Sequence, residues 1–222
     1  MRTLPLCHII LVLCLFLSTG CNTIEERRET TLQTIHDRNH KPIYRARIPS
    51  EWIRRDPLPE EQLADTTKAI CEFIIYRPGS EDLIRITIHN FPSDKIEDRI
   101  PPSAQIARWQ RQFELLLPHC SNKTAQAFSG YLGLMFIGSG ILNGKETTMV
   151  GFSMQLAPEH YRTLSHPLAL ESSPIDAETR LQMRSDVTIK AVGPKQSMNE
   201  HQDAIINMAR SFELIDEIPH RT

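Results

Sequence analysis

The sulfur chemistry of this chain turns on five cysteines whose neighbourhoods differ. Cys21 stands at a seam. Residues 4–17 are apolar apart from Pro5 and His8, Ser18-Thr19-Gly20 follow, and charge resumes only at Glu25. A short basic start at Arg2, an apolar centre and a small-residue exit together make an export signal. The apolar run is too short for the roughly 20 residues of a spanning helix. A retained helix would also need apolar residues beyond Gly20, where Glu25-Glu26-Arg27-Arg28 stand instead. Plain signal cleavage would prefer an Ala-x-Ala-like exit, which is absent. Cys7 and Cys14 leave with the signal, so Cys71 and Cys120 remain. Export makes a bridge between them possible. Both also lie among apolar residues, where a free cysteine serves as a small hydrophobe. Count alone leaves the two alternatives open, because a bridge requires geometry.

The exit Leu17-Ser18-Thr19-Gly20-Cys21 resembles a bacterial lipobox. Gly20 and Cys21 match the pattern well; Ser18 stands where leucine is commonest, and Leu17 is one place early. The resemblance implies that the Cys21 thiol receives a diacylglyceryl group, that cleavage precedes it, and that the new amino group is acylated. Two or three acyl chains, at about 0.8 kcal/mol per buried methylene, make a stable bilayer anchor. Asn22 is not the aspartate that, in such lipoproteins, favours inner-membrane retention, so the resemblance points to the outer membrane.

Other candidate chemistry is weaker. Lys145 closes Gly138-Ser139-Gly140-Ile141-Leu142-Asn143-Gly144, but Ser139 takes the place of the first phosphate-loop glycine and Glu146 that of the metal-binding hydroxyl. The histidines after the signal are His36, His40, His89, His119, His160, His166, His201 and His220. None has metal-ligand spacing, and surface positions are the expectation. His160, His166 and Glu159 share one segment and could hold a metal only weakly. Cys71 sits in an apolar stretch, the wrong surroundings for a thiolate nucleophile. Gly151-Phe152-Ser153-Met154-Gln155 lacks the second glycine of a serine elbow. Glu81, Asp82, Asp94, Glu97 and Asp98 read as solvated loop charge. Asn122-Lys123-Thr124 forms a sequon that export to a bacterial envelope leaves idle. No catalytic, cofactor-binding or metal-ligating residue emerges, and no cofactor is implied.

The elements that position these residues follow from periodicity. With 222 residues, 40% apolar and 23% charged, the chain suits one domain with appendages. Without residues 1–20 it keeps 24 of its 25 basic residues and all 27 acidic ones. That balance lacks the basic footprint of a nucleic-acid binder. We expect a signal over residues 1–20, a lipidated N-terminus with a flexible tether over 21–41, a folded domain over 42–215 and a tail over 216–222. Alternation predicts strands at 43–48 and 83–89; the run 69–76 before Pro78-Gly79-Ser80 reads as another, and 186–192 as one that ends at the turn Gly193-Pro194. Residues 128–142 and 147–157 flank Asn143-Gly144, a hairpin signal. Gly130, Gly133, Gly138 and Gly140 suggest bulges or close backbone approach in the first of these runs. A helix capped by Ser103 carries Ile106, Trp109, Gln110 and Phe113 on one face and stops by Pro118. A second runs over about 198–211, with Ala204, Ile205, Met208, Ala209 and Phe212 inward. Residues 158–184 hold Pro158, Pro167 and Pro174 and read as a long loop. Hairpins with one inserted and one closing helix make an α+β sandwich, not a parallel array.

This succession resembles the PsbP-like superfamily, which includes photosystem lumen proteins and envelope proteins of the DcrB type. The resemblance rests on Pro49-x-x-Trp52, the 69–89 hairpin, Ala107-Arg108-Trp109-x-x-Gln112, Ile189-Lys190-Ala191-Val192-Gly193-Pro194 and Arg210-Ser211-Phe212. It spans about residues 42–215 and implies an antiparallel sheet packed between helices. It implies no single activity, since fold does not dictate function. Three classes stay open: an accessory or interaction protein with an envelope partner, a small-ligand or metal-binding module, and a hydrolase. Trp52 and Trp109 read as core anchors.

Overall fold

The longest hairpin is set by two residues. Asn143 and Gly144 both take positive φ, 51° and 71°, the geometry whose twist matches that of the flanking strands. Strand β8 (Tyr131–Leu142) therefore turns directly into β9 (Lys145–Leu156), and the two pair antiparallel from Leu142↔Lys145 to Tyr131↔Leu156. The computed structural model describes residues 28–37, 39–57, 68–77, 79, 83–165 and 176–216. Cys21 lies outside the described residues, as do His166, His220 and the segments 58–67 and 166–175.

Around that hairpin forms an eight-stranded antiparallel sheet. Its order is β3 (Ile53–Arg55), β4 (Cys71–Tyr76), β5 (Leu83–Phe91), β10 (Asp186–Gly193), β9, β8 and β6 (Leu115–Leu116), with β7 (Ser121–Gln126) also pairing β8. The late strand β10 thus lies centrally, between β5 and β9. A three-stranded sheet, β1 (Thr30–His36), β2 (Pro42–Pro49) and β11 (Glu213–Leu214), stands beside it.

The inner face of the large sheet is apolar. Phe73, Ile86, Ile88, Phe152, Val187 and Ile189 join one core with Tyr44, Ala46 and Ile48 of β2 and with Met198, Ile205, Met208 and Ala209 of the closing helix. That helix, α4 (Lys195–Arg210), packs on β2, β9 and β10. The rings of Tyr44, Tyr131 and Phe212 meet at centroid distances of 4.7–6.4 Å. On the outer face lies α1 (Pro102–Gln110), which buries Ile106 and Trp109 over Phe136 and Met149 in a smaller core. Helices on both sides of an antiparallel sheet are what the resemblance implies, and the fold is α+β.

Several expectations need correction. The tether does not extend to residue 41: Thr30–His36 is an edge strand paired with β2. It buries only Ile35 fully, so its sequence carries little alternation. Segment 158–184 is no continuous loop. It contains α2 (Pro158–Ser165) and α3 (Ala177–Met183), the latter capped by Asp176, whose side chain accepts the Thr179 N–H at 2.9 Å. Helices of seven or eight residues span two turns, too few for a period to show. Pro101, not Ser103, precedes α1, with Pro102 in the first turn, where its missing N–H costs nothing. Helix α1 ends at Gln110, well before Pro118. Close backbone approach does occur in β8: a Cβ on Gly140 would meet the Leu115 carbonyl oxygen at 2.0 Å. Cys71 and Cys120 are both free. The first is buried in β4 and the second exposed ahead of β7, so no bridge forms. Burial pushes the Cys71 thiol up to about 11.

Candidate binding site

The pairing of β5, β10 and β9 carries polar residues into a buried place. Along Asp186-Val187-Thr188-Ile189-Lys190 the odd positions enter the core and the even ones face outward. Register sets His89, Thr188 and Ser153 side by side, with Phe91 beside Asp186 in the next row. On an ordinary two-layer sheet these outward residues would be wet. Here α1 and the segment before it cover them, and His89, Thr188 and Ser153 are each only 5% exposed. His89 is therefore a buried histidine and not a surface one.

Segment 92–101 is fastened over the sheet end by named bonds. Arg99 donates from Nε to Asp186 Oδ1 and from Nη2 to the Leu156 carbonyl, both at 2.8 Å. Its guanidinium lies 5.1 Å from the centre of the Tyr161 ring, which Arg184 also approaches at 5.4 Å. The Tyr161 hydroxyl donates to the Ser93 carbonyl at 2.7 Å. Gln155 Nε2 donates to the Ile100 carbonyl at 3.0 Å and to Asp186 Oδ2 at 2.9 Å. Burial pushes the Asp186 carboxyl up, against the pull of the Gln155 hydrogen bond and the Arg99 charge.

Between this strap and the sheet a cavity of about 340 Å³ remains, lined by Phe91, Pro92, Ser93, Asp94, Asp98, Arg99, Ile100, Gln105, Ser153, Asp186 and Thr188. A separate recess of about 10 Å³ lies beside it, lined by His89, Arg108, Trp109 and Lys190. Gly151 lets the Trp109 ring pack against the sheet, because a Cβ there would stand 2.4 Å from that ring. Three convergent polar side chains on an otherwise stapled wall are what a small-molecule site requires. Asp94 and Asp98, expected as solvated loop charge, are exposed and line this cavity.

A second buried carboxylate lies towards the other end of the same sheet face. Glu72 is fully buried. It accepts from Arg55 at 2.8 and 2.6 Å and from Arg85 at 2.8 Å on each of its oxygens.

The remaining candidates are not drawn together. Cys71 lies on the inner face and Cys120 at the surface. His160 Nδ1 lies 3.2 Å from the Ser129 carbonyl oxygen, and its expected co-ligand His166 is outside the described residues. Among the described residues no group of three or more His, Cys, Asp and Glu is placed to hold a metal ion. Sequence reasoning missed Arg99, Gln105, Asp186 and Thr188 as site residues. The available signal was polar residues at the outward positions of β5, β9 and β10, but their convergence depends on strand order.

Neither a protein-family model nor a curated protein matches the chain in sequence. Among solved structures the chain is similar to LpqN, involved in cell envelope biogenesis of Mycobacterium tuberculosis, at 11% identity and a TM-score of 0.51. That match covers 88% of this chain and 96% of LpqN. The cyanobacterial PsbP of Synechocystis superposes at a TM-score of 0.47 and 10% identity, over 89% of this chain and 98% of its own. A protein of unknown function from Pseudomonas aeruginosa, PA94, does so at 0.40 and 12%, over 87% and 99%. The likeness to LpqN is one of fold.

Proposed function

We propose that this protein is a lipid-anchored envelope protein with an accessory role, acting by binding and not by covalent catalysis. The observation that carries the reading is the seam at Gly20-Cys21, with charge from Glu25 onward and Arg28 already bonded to the domain. Arg28 ties the chain down there, bonding Glu51 Oε1 at 3.1 Å and the Glu200 carbonyl at 3.1 Å. Residues 22–27 reach at most about 22 Å when fully extended. Acyl chains on Cys21 therefore hold the domain close against the bilayer and present it to an envelope partner nearby. Asn22 favours the outer membrane over the inner. The role of LpqN in envelope biogenesis is compatible with this assignment.

Substituting Cys21→Ala tests the anchor. Acyl-chain labelling is lost and the protein leaves the membrane fraction. Label retained in the variant, or a mature N-terminus at another residue, contradicts the proposal.

A second reading, a small-ligand-binding envelope module, is favoured by the cavity beneath segment 92–101. The two are compatible, since an anchored domain can hold a ligand at the membrane surface.

A further inference from the structure

The small-ligand reading leaves the ligand's chemistry open, and the cavity wall narrows it. Gln105, Ser153 and Thr188 line the cavity and are 7%, 5% and 5% exposed. Such groups ordinarily find a partner when they are buried. The hydrogen-bonded contacts of the protein leave the Gln105 amide and the two hydroxyls unengaged among the described residues, and each borders the cavity. A ligand that fits them must itself offer donors and acceptors, as hydroxyl groups do.

Charge is asymmetric between floor and mouth. Arg99 is the single cation of the lining, and two of its three nitrogens are already committed to Asp186 and to the Leu156 carbonyl. It is spent on structure and poorly placed to receive an anion. Asp94 and Asp98 stand at the mouth, exposed, with no ion pair among the described residues. Lys95, between them in sequence, does not line the cavity. Two uncompensated carboxylates repel an anionic guest and attract a cationic one. Phe91 adds one aromatic wall, against which a cation or an apolar ring face packs well. The volume lies at the lower end of the range for ligand pockets, so the guest is small.

We propose that this cavity binds a small polyhydroxylated ammonium compound, of which an amino sugar is the simplest form, with its hydroxyls on Gln105, Ser153 and Thr188 and its charge toward Asp94 and Asp98. This rests on the small-ligand reading and gives it a chemical class.

Three hexoses matched in size and differing in charge test it: glucosamine, glucose and glucuronic acid. Each is titrated by calorimetry into the full-length protein in detergent, at about pH 6.5, where the amine is charged. Glucosamine binds about tenfold or more tighter than glucose, and glucuronate binds weakest. The double substitution Asp94→Asn with Asp98→Asn abolishes the preference, bringing glucosamine down to the affinity of glucose in the same variant. Thr188→Val and Ser153→Ala each weaken both sugars about tenfold. Circular dichroism and thermal melting confirm that each variant is folded. Glucuronate binding as tightly as glucosamine, or a full preference kept by the double variant, overturns the charge assignment while leaving the cavity a binding site. Absence of binding by all three at millimolar concentration overturns both.

Discussion

Two buried carboxylates face the same side of the same sheet, and their surroundings have opposite characters. Glu72 on β4 receives four hydrogen bonds from two arginines. Asp186 on β10 receives one from Arg99 and one from Gln155, and opens onto a cavity. The first is a closed knot. It joins β3, β4 and β5, and its outer partners Arg55 and Arg85 keep contact with solvent at 31% and 24% exposure. The second forms part of a cavity wall, and its arginine holds segment 92–101 in place. The difference teaches where binding belongs on this face. Saturated acceptors make structure, whereas acceptors left over beside a void are available to a guest.

The largest expected effect falls at the closed end. Glu72→Ala leaves two arginines facing each other without their common acceptor, and stability falls by about 3 kcal/mol. That is the low end for a broken buried pair, because both arginines retain solvent. Urea denaturation measures it. Sugar binding at the far end stays intact in the folded fraction; joint loss of both would break the separation between the two ends.

Next comes Gly151→Ala, which lies between them. Its Cβ would press on the buried Trp109 ring at 2.4 Å, and overpacking of this kind costs about 1–3 kcal/mol. Relief requires α1 to move, and Gln105 moves with it. Glucosamine affinity therefore falls along with the melting temperature, unlike in Glu72→Ala.

The smallest effect is the pH-dependent part of the change at Asp186→Asn. Burial raises the folded carboxyl above its ordinary value of 3.8. A raised folded value favours the protonated form, so this group's contribution is full below the unfolded value and is lost as pH rises through the folded one. Urea midpoints of the two proteins, compared from pH 7 down to about pH 4, then show the wild type gaining relative to the variant. A difference that stays constant with pH would mean that Asp186 titrates as if exposed.

What could be read in the sequence follows the same divide. Ile86, Ile88, Val187 and Ile189 alternate with polar residues, and their place in the inner core follows from that alternation. Asn143-Gly144 declares its hairpin. The Ile106–Trp109 spacing declares the buried side of α1. The cavity could not be foreseen this way. Asp186, Thr188 and Ser153 stand at outward positions, which alternation assigns to water. Only the placement of β10 between β5 and β9, with α1 packed on β8 and β9 beside them, buries them. That placement is a long-range pairing with no local signature. Thr30–His36 was hidden for a related reason, as an edge strand with one fully buried residue.

The central claim is that binding is confined to the open end of the outer face. Backbone amide shifts recorded by NMR during titration with glucosamine test it most directly. Shifts are expected at Phe91, Gln105, Ser153, Asp186 and Thr188, and none at Glu72 or Arg85. Shifts centred on Glu72, or spread evenly over both ends, would contradict it.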